Sequence, residues 1–191
     1  MKRICVFCGA NTGNRPEYRE AAANLGRTLA QKGLGLVYGG GNVGLMGVLA
    51  EAALAAGGEV VGVIPTSLVE KELAHNGLSD MVITASMHER KQEMFDRSDG
   101  VIALPGGFGT LDEFFEVITW CQLGFHQKPC GLLNVLDFFQ PLMVHLAHAV
   151  AEGFITEVNA GLIQVHHHPE ELLRRFETFR PSPGPVWIRQ R

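Results

Sequence analysis

The chain has 191 residues, a length typical of one compact domain, and at 46% hydrophobic and 19% charged it carries enough apolar material for a buried core. Its formal net charge of -4 argues against a nucleic-acid binder, which needs a basic face to neutralise phosphates. No stretch has the length of a membrane span, and the apolar run after Met1-Lys2-Arg3 is too short for a signal peptide, so the expectation is a soluble cytoplasmic protein without membrane or nucleic-acid partners.

Short apolar runs alternate with helical patterns along the chain. Ile4–Cys8 reads as a first strand, followed by the polar turn Gly9-Ala10-Asn11-Thr12-Gly13-Asn14 and a helix that Pro16 opens and that runs to about Lys32. Gly35–Tyr38 is a second strand. After Gly39–Gly44 comes an alanine-rich helix from about Leu45 to Ala56. Val60–Ile64 is a third strand, halted by Pro65, and the stretch to Asp80 is irregular with room for one short helix. Met81–Thr84 is a fourth strand. Ser86 and Glu89 form a capping box that opens a helix to about Arg97. Val101–Leu104 is a fifth strand, followed by Pro105-Gly106-Gly107-Phe108-Gly109-Thr110 and a helix over about Thr110–Leu123. Gly131–Val135 and Leu162–Val165 are the last two strands, with helices over about Phe138–Glu152 and Pro169–Phe179.

Strand–helix alternation with continuously apolar strands predicts a single-domain Rossmann-like α/β fold over residues 1–180: a doubly wound, mainly parallel sheet with helices on both faces. Residues 181–191, rich in proline, read as a loosely held tail. In such sheets ligands bind outside the carboxyl ends of the strands, so the segments after strands one, two and five are expected to converge on one cleft.

The thiols are expected to be free and packed. Cys5 and Cys8 form a C-x-x-C pair, but positions three apart on a strand point to opposite faces, and no second pair follows at zinc spacing. His166-His167-His168 are consecutive and splay apart, and His145 with His148 has no third ligand, so no metal site is expected.

The glycine segments differ in what they say. Gly39-Gly40-Gly41-Asn42-Val43-Gly44 matches G-x-G-x-x-G. A dinucleotide site also needs an acid at the end of the next strand, where this chain has Val63-Ile64-Pro65, so the segment is either a tight turn or a secondary contact with substrate. There is no G-x-x-x-x-G-K-[ST], which excludes a P-loop NTPase. Pro105–Thr110 is more specific. Its three glycines let backbone approach a ligand, and the N–H groups and positive dipole end of the following helix face the same spot. A phosphate is the natural guest.

The helix after Ser86 has an inverted face. Met87, Arg90, Lys91 and Met94 lie at i, i+3, i+4 and i+7, the spacing of a core stripe, yet two of the four are cations. Burying them unpaired is costly, so they must meet carboxylates such as Glu72, Glu113 or Glu116, an anionic ligand, or both. On the helix after the glycine loop, Leu111, Phe114, Phe115 and Ile118 are expected to form the core stripe, with Glu113 off it and one turn beyond Thr110.

With Met87-His88-Glu89-Arg90-Lys91-Gln92-Glu93-Met94 and Pro105-Gly106-Gly107-Phe108-Gly109-Thr110-Leu111-Asp112-Glu113 in place, the chain resembles the LONELY GUY family of cytokinin-activating phosphoribohydrolases, many of which carry an older lysine-decarboxylase-like label. Trp120-Cys121-Gln122-Leu123-Gly124 and Lys128-Pro129 also fit, and the resemblance spans Cys5 to about Val165. It implies hydrolysis of the N-glycosidic bond of a nucleoside 5'-monophosphate, such as isopentenyladenosine monophosphate or AMP, to free base and ribose 5-phosphate, with no cofactor. It implies Arg90 and Glu113 as the catalytic pair. It implies Glu72, Lys91, Gly107, Phe108, Gly109, Thr110, Leu111, Asp112 and Thr119 as substrate-binding positions, with Gly106 of the same loop beside them; Met87 and Met94 are candidates to line a pocket for an apolar tail on the base. It also implies a homodimer with the site near the subunit interface. One departure stands in the first loop, where the family commonly has Gly-Ser and this chain has Gly9-Ala10; that loop is left out of the candidate site.

Glycoside cleavage passes through an oxocarbenium-like state that a nearby carboxylate stabilises or supplies with activated water, which is the role expected of Glu113. Arg90, always charged, orients rather than donates a proton. Asp112 and Glu72 are both candidates for protonating the departing base. Two other readings compete: a non-catalytic nucleotide carrier, and a pyridoxal phosphate-dependent decarboxylase, which would need a Schiff-base lysine.

Overall fold

A computed structural model describes residues 1–69 and 74–180. Seven strands form one sheet: β1 (Arg3–Phe7), β2 (Gly35–Tyr38), β3 (Val60–Pro65), β4 (Asp80–Thr84), β5 (Gly100–Ala103), β6 (Cys130–Leu133) and β7 (Ile163–His166). All neighbours are parallel, in the order β4-β3-β2-β1-β5-β6-β7. The expected doubly wound α/β architecture is therefore present. The chain lays down β1 to β4 in one direction, then returns to place β5 on the free side of β1. The β1/β5 boundary is the switch point at which such sheets open a crevice.

The helices are α1 (Pro16–Gln31), α2 (Gly44–Ala55), α3 (Thr66–Val69), α4 (Met87–Asp96), α5 (Phe108–Gln122), α6 (Gln140–Ala151), α7 (Glu157–Ala160) and α8 (Pro169–Thr178). Alternation along β1 sorts them into layers. Ile4, Val6 and Cys8 pack with Leu25 of α1, Leu49 of α2 and Leu172 of α8. Cys5 and Phe7 point the other way, into a second core with Met94 of α4, Phe114 of α5 and Leu146 of α6. The two cysteines of the C-x-x-C pair thus lie on opposite faces, and all four cysteines are buried free thiols.

Boundaries moved where propensity met packing. The sixth helical segment, expected from Phe138, starts at Gln140, because a 3-10 turn over Val135–Asp137 precedes it; α7 had no sequence signal of its own. Among the described residues no helix is long and apolar enough to cross a membrane. Glu72 and the tail 181–191 lie outside the described residues.

Candidate active site

The carboxyl ends of β1, β2 and β5 open into a cleft of about 460 Å³. Its floor is Val6–Gly9 and Gly39, its rim Ala10–Gly13, and one wall is formed by Pro105, Gly106, Gly107, Gly109 and Thr110. The segments after strands one, two and five do converge, as the sheet topology requires.

The glycine loop is shorter than its sequence suggests, because α5 begins at Phe108 with Gly107 as its N-cap, not at Thr110. The first intrahelical bond runs from Leu111 N–H to the Gly107 carbonyl at 3.2 Å. The N–H groups of Phe108, Gly109 and Thr110 therefore have no partner in the helix and sit at its positive end, the arrangement that receives an anion. Gly107 and Gly109 are open: a Cβ on either would touch nothing within 4 Å. Gly106 is closed, since a Cβ there would lie 2.1 Å from Thr110 Oγ1. Thr110 is buried beneath the loop at 4% exposure.

Beside the loop lies a buried ion pair. Arg90 Nη1 donates to Glu113 Oε1 at 3.0 Å, and both residues are under 10% exposed. The other two arms of the guanidinium are fixed by backbone: Nε donates to the Val63 carbonyl at 3.0 Å and Nη2 to the Gly39 carbonyl at 3.1 Å. Arg90 thus ties the ends of β2 and β3 to α5. Gly39 has to be glycine, because a Cβ would come within 1.9 Å of Arg90 Nη2. The G-x-G-x-x-G segment is a closely packed turn: the Gly40 carbonyl accepts from His75 N–H at 2.9 Å, and Gly44, at φ +60°, lies where a Cβ would strike the Ala10 carbonyl carbon at 2.2 Å.

The expected stripe of α5 is corrected. Thr110, Glu113, Phe114, Val117, Ile118 and Cys121 are its buried positions, while Leu111 and Phe115 are half-buried. Glu113 is on the inward face, not beside it, because a guanidinium waits there to receive it. Burial pushes the Glu113 carboxyl above its ordinary range, and the opposing pull of Arg90 does not cancel that effect. Its Oε2 accepts no hydrogen bond among the described residues, which leaves it available to a ligand in the cleft.

The cation stripe of α4 divides. Arg90 and Met94 face the cleft, and Met87 is 45% exposed. Lys91 does not line the cleft; it bridges Asp112 at 3.2 Å and Glu116 at 2.8 Å. Burial pulls its ammonium down, but these two carboxylates more than offset that, and the net shift is upward. Of the expected site positions, Arg90, Gly106, Gly107, Gly109, Thr110 and Glu113 meet in the cleft. Met87, Lys91, Phe108, Leu111, Asp112 and Thr119 lie outside it within one chain. Phe108 is 95% exposed, and the Thr119 hydroxyl donates to the Phe115 carbonyl at 2.7 Å.

Sequence reasoning passed over the first loop on account of Ala10. The structure puts Gly9–Gly13 on the cleft rim, locked by Gly9 N–H to the Pro105 carbonyl at 3.1 Å and Leu45 N–H to the Gly9 carbonyl at 3.0 Å. The switch-point rule was the signal for it. Tyr18, Met46, Leu68 and Phe138 also line the cleft, and nothing in their local sequence marks them.

A family model described as possible lysine decarboxylase matches residues 46–176. A cytokinin riboside 5'-monophosphate phosphoribohydrolase of Arabidopsis thaliana is 47% identical over 182 residues, covering 95% of this chain and 84% of that protein. A protein of the same name from Oryza sativa subsp. japonica is 45% identical over 189 residues, covering 98% and 78%. Among solved structures, a molybdenum cofactor binding protein from the phototrophic bacterium Rippkaea orientalis superposes with a TM-score of 0.70 at 24% identity, covering 93% of this chain and 97% of that one. That likeness bears on the fold alone.

Proposed function

The chain belongs to the family described as possible lysine decarboxylases, in which its relatives at 45–47% identity are cytokinin riboside 5'-monophosphate phosphoribohydrolases, and from that premise we propose that it hydrolyses the N-glycosidic bond of a cytokinin-type nucleoside 5'-monophosphate. The products are the free base and ribose 5-phosphate. The observation that carries this reading is the placement of the Arg90–Glu113 pair one helical turn inside a set of α5 N–H donors that have no partner within the helix, in one cleft.

The 5'-phosphate sits on the N–H groups of Phe108, Gly109 and Thr110, where the helix dipole favours negative charge without a lysine. Glu113 lies one turn further in, the distance from a phosphate to a ribose. As the C–N bond lengthens, positive charge grows on the anomeric carbon and the ring oxygen. The ionised Oε2 of Glu113 is the nearest negative group in the cleft and stabilises that charge or takes a proton from attacking water. Arg90 holds Oε1, and its three-point anchoring fixes the carboxylate before substrate arrives. The proton for the departing base comes from Asp112 or Glu72 in this reading; the first is an exposed partner of Lys91, the second lies outside the described residues.

A homodimer with the site near the interface belongs to the same proposal. Met87, Phe108 and Thr119 are expected site residues on exposed surfaces of α4 and α5, and a second copy laid there brings them to the cleft mouth. Incubating purified protein with AMP and with isopentenyladenosine monophosphate, then separating the products, tests the reading. Release of free base supports it, and nucleotide recovered bound but intact overturns it in favour of a carrier.

A further inference from the structure

Glu113 has one oxygen committed and one free. Oε1 accepts from Arg90 Nη1 at 3.0 Å, and Oε2 accepts no hydrogen bond among the described residues. The residue lines the cleft at 9% exposure, and the guanidinium against it is tied to the Val63 and Gly39 carbonyls, which holds the carboxylate in one orientation. A carboxylate oxygen that is fixed, stripped of most of its water and open to a ligand is placed to bond an electrophilic carbon, and not only to face its charge.

The rest of the cleft decides what such a bond leads to. Hydrolysis through a glycosyl ester needs a base in its second step, to take a proton from water, and a second carboxylate commonly supplies it. Among the described residues lining this cleft, the other ionisable side chains are Cys8, Tyr18 and Arg90. Burial pushes the Cys8 thiol up, which keeps it protonated, and a phenol and a guanidinium hold their protons near neutral pH. Asp112 is exposed, bound to Lys91 and outside the cleft. Once Glu113 is esterified, therefore, no described residue of the cleft is free to activate water. A purine needs no such help, because a ring nitrogen attacks with its own lone pair. Leu45, Met46, Leu68 and Met94 give the cleft an apolar lining that suits a flat heterocycle better than an ordered water.

Resting on the phosphoribohydrolase reading, we propose that the protein is also a base-exchange enzyme, which moves the 5-phosphoribosyl group from one purine to another through an ester on Glu113. In the first half, Oε2 gives an electron pair to the anomeric carbon, the C–N bond breaks, and its pair leaves on the purine, which takes up one proton at a ring nitrogen. In the second half, a ring nitrogen of an incoming purine gives its pair to the anomeric carbon, the C–O bond breaks, and that pair returns to the carboxylate. The incoming purine gives up its N–H proton, so the cycle neither gains nor loses one. The 5'-phosphate stays on the α5 N–H groups throughout and keeps the sugar in place while the bases trade. Replacing one adenine by another makes the same bond that it breaks, so rate alone limits the exchange.

The test incubates the unmodified protein with AMP and an excess of isotope-labelled adenine, and follows labelled AMP and ribose 5-phosphate together by mass spectrometry. Labelled AMP is expected to form at no less than about a tenth of the rate of ribose 5-phosphate release. Glu113→Asp draws the oxygen back by one carbon–carbon bond and is expected to slow exchange and hydrolysis together by about a hundredfold, because both pass through the ester. A second measurement on the unmodified protein adds methanol and identifies the anomer of the methyl riboside 5-phosphate. Two displacements give the β anomer, the configuration of the substrate, and direct displacement of the base by solvent gives the α anomer. Ribose 5-phosphate release with labelled AMP below the expected rate, an α product, or a Glu113→Asp protein that hydrolyses AMP normally without exchange overturns the proposal and leaves the hydrolase reading standing. Labelled AMP without ribose 5-phosphate overturns the hydrolase reading and leaves the exchange standing, and the absence of both products overturns both.

Discussion

Arg90 and Glu113 hold one another at 3.0 Å in the interior of the cleft, and each nitrogen of the guanidinium donates one hydrogen bond, to Glu113, to Gly39 and to Val63. The pair therefore has a single arrangement set by four elements, α4, α5, β2 and β3. That rigidity separates what the two side chains are expected to do when changed.

Glu113→Gln keeps an oxygen for Arg90 and the shape of the site, but removes the negative charge. Adenine release from AMP is expected to fall by about a hundred- to ten-thousandfold, with AMP affinity retained, because phosphate contacts are untouched. Near wild-type turnover in a single-turnover assay removes Glu113 from the mechanism.

Arg90→Ala behaves differently, since it strands a buried carboxylate and two backbone carbonyls at once. Breaking such a pair costs about 3–5 kcal/mol, so a lowered melting temperature accompanies the loss of activity. Urea denaturation of the two variants side by side checks this: Arg90→Ala is expected to be the less stable by a clear margin. Equal midpoints mean that the pair is not buried in solution as it is here.

The pH dependence follows from the upward shift of Glu113. Burial raises the carboxyl, and the proposed mechanism needs it ionised, so kcat/KM is lost as pH falls through a value above the ordinary glutamate range of about 4.3. For stability the sign is opposite. Between the unfolded and folded values the native state holds more protons than the unfolded one, so stability decreases as pH rises through that window. Glu113→Gln lacks this dependence. A pH profile of AMP turnover whose acid limb lies at or below the ordinary range contradicts the assignment.

Much of this was legible in sequence, and the exceptions share a cause. Periodicity located all seven strands within a residue or two, because buried parallel strands are continuous apolar runs bounded by glycine, proline or polar turns. The misplaced cations at Arg90 and Lys91 announced that carboxylates would be found, and the structure supplies Glu113 for one and Asp112 with Glu116 for the other. Helical phase alone put Glu113 off the core stripe, since a carboxylate is not counted as a core residue until its buried partner is known. Phe138 was silent for a different reason: the turn that aims it depends on Asn134, Phe139 and His167, which meet only once β6 and β7 are paired.

The glycines of the anion loop give a prediction that separates folding from binding. Gly106→Ala drives a methyl into Thr110, and Gly39→Ala drives one into Arg90; overpacking of that kind costs about 1–3 kcal/mol and shows as a lowered melting temperature. Gly107→Ala meets empty space, so its stability is expected to stay close to wild type while KM for AMP rises about tenfold, because the methyl projects where backbone must approach the phosphate. A Gly107→Ala protein with unchanged KM shows that the anion is not held there.

The decarboxylase named by the family description makes a demand that these lysines do not meet. A Schiff base with pyridoxal phosphate forms through a neutral amine, so the lysine has to lie at the cleft with its pKa brought down. Among the described lysines, Lys91, on the helix that carries Arg90, is bridged by Asp112 and Glu116 and shifted upward, which keeps it charged. Lys128 is shifted down, chiefly by burial, but it stands just before β6, at the amino ends of the strands, with Nζ donating to the Phe95 carbonyl at 2.6 Å. Lys91 has neither a place in the cleft nor a lowered pKa, and Lys128 has the lowered pKa without the place. Added pyridoxal phosphate is therefore expected to give no aldimine absorbance band and no carbon dioxide from lysine. A band that disappears in Lys91→Met would reverse this conclusion, because it would show that the paired ammonium gives up its carboxylates to the cofactor.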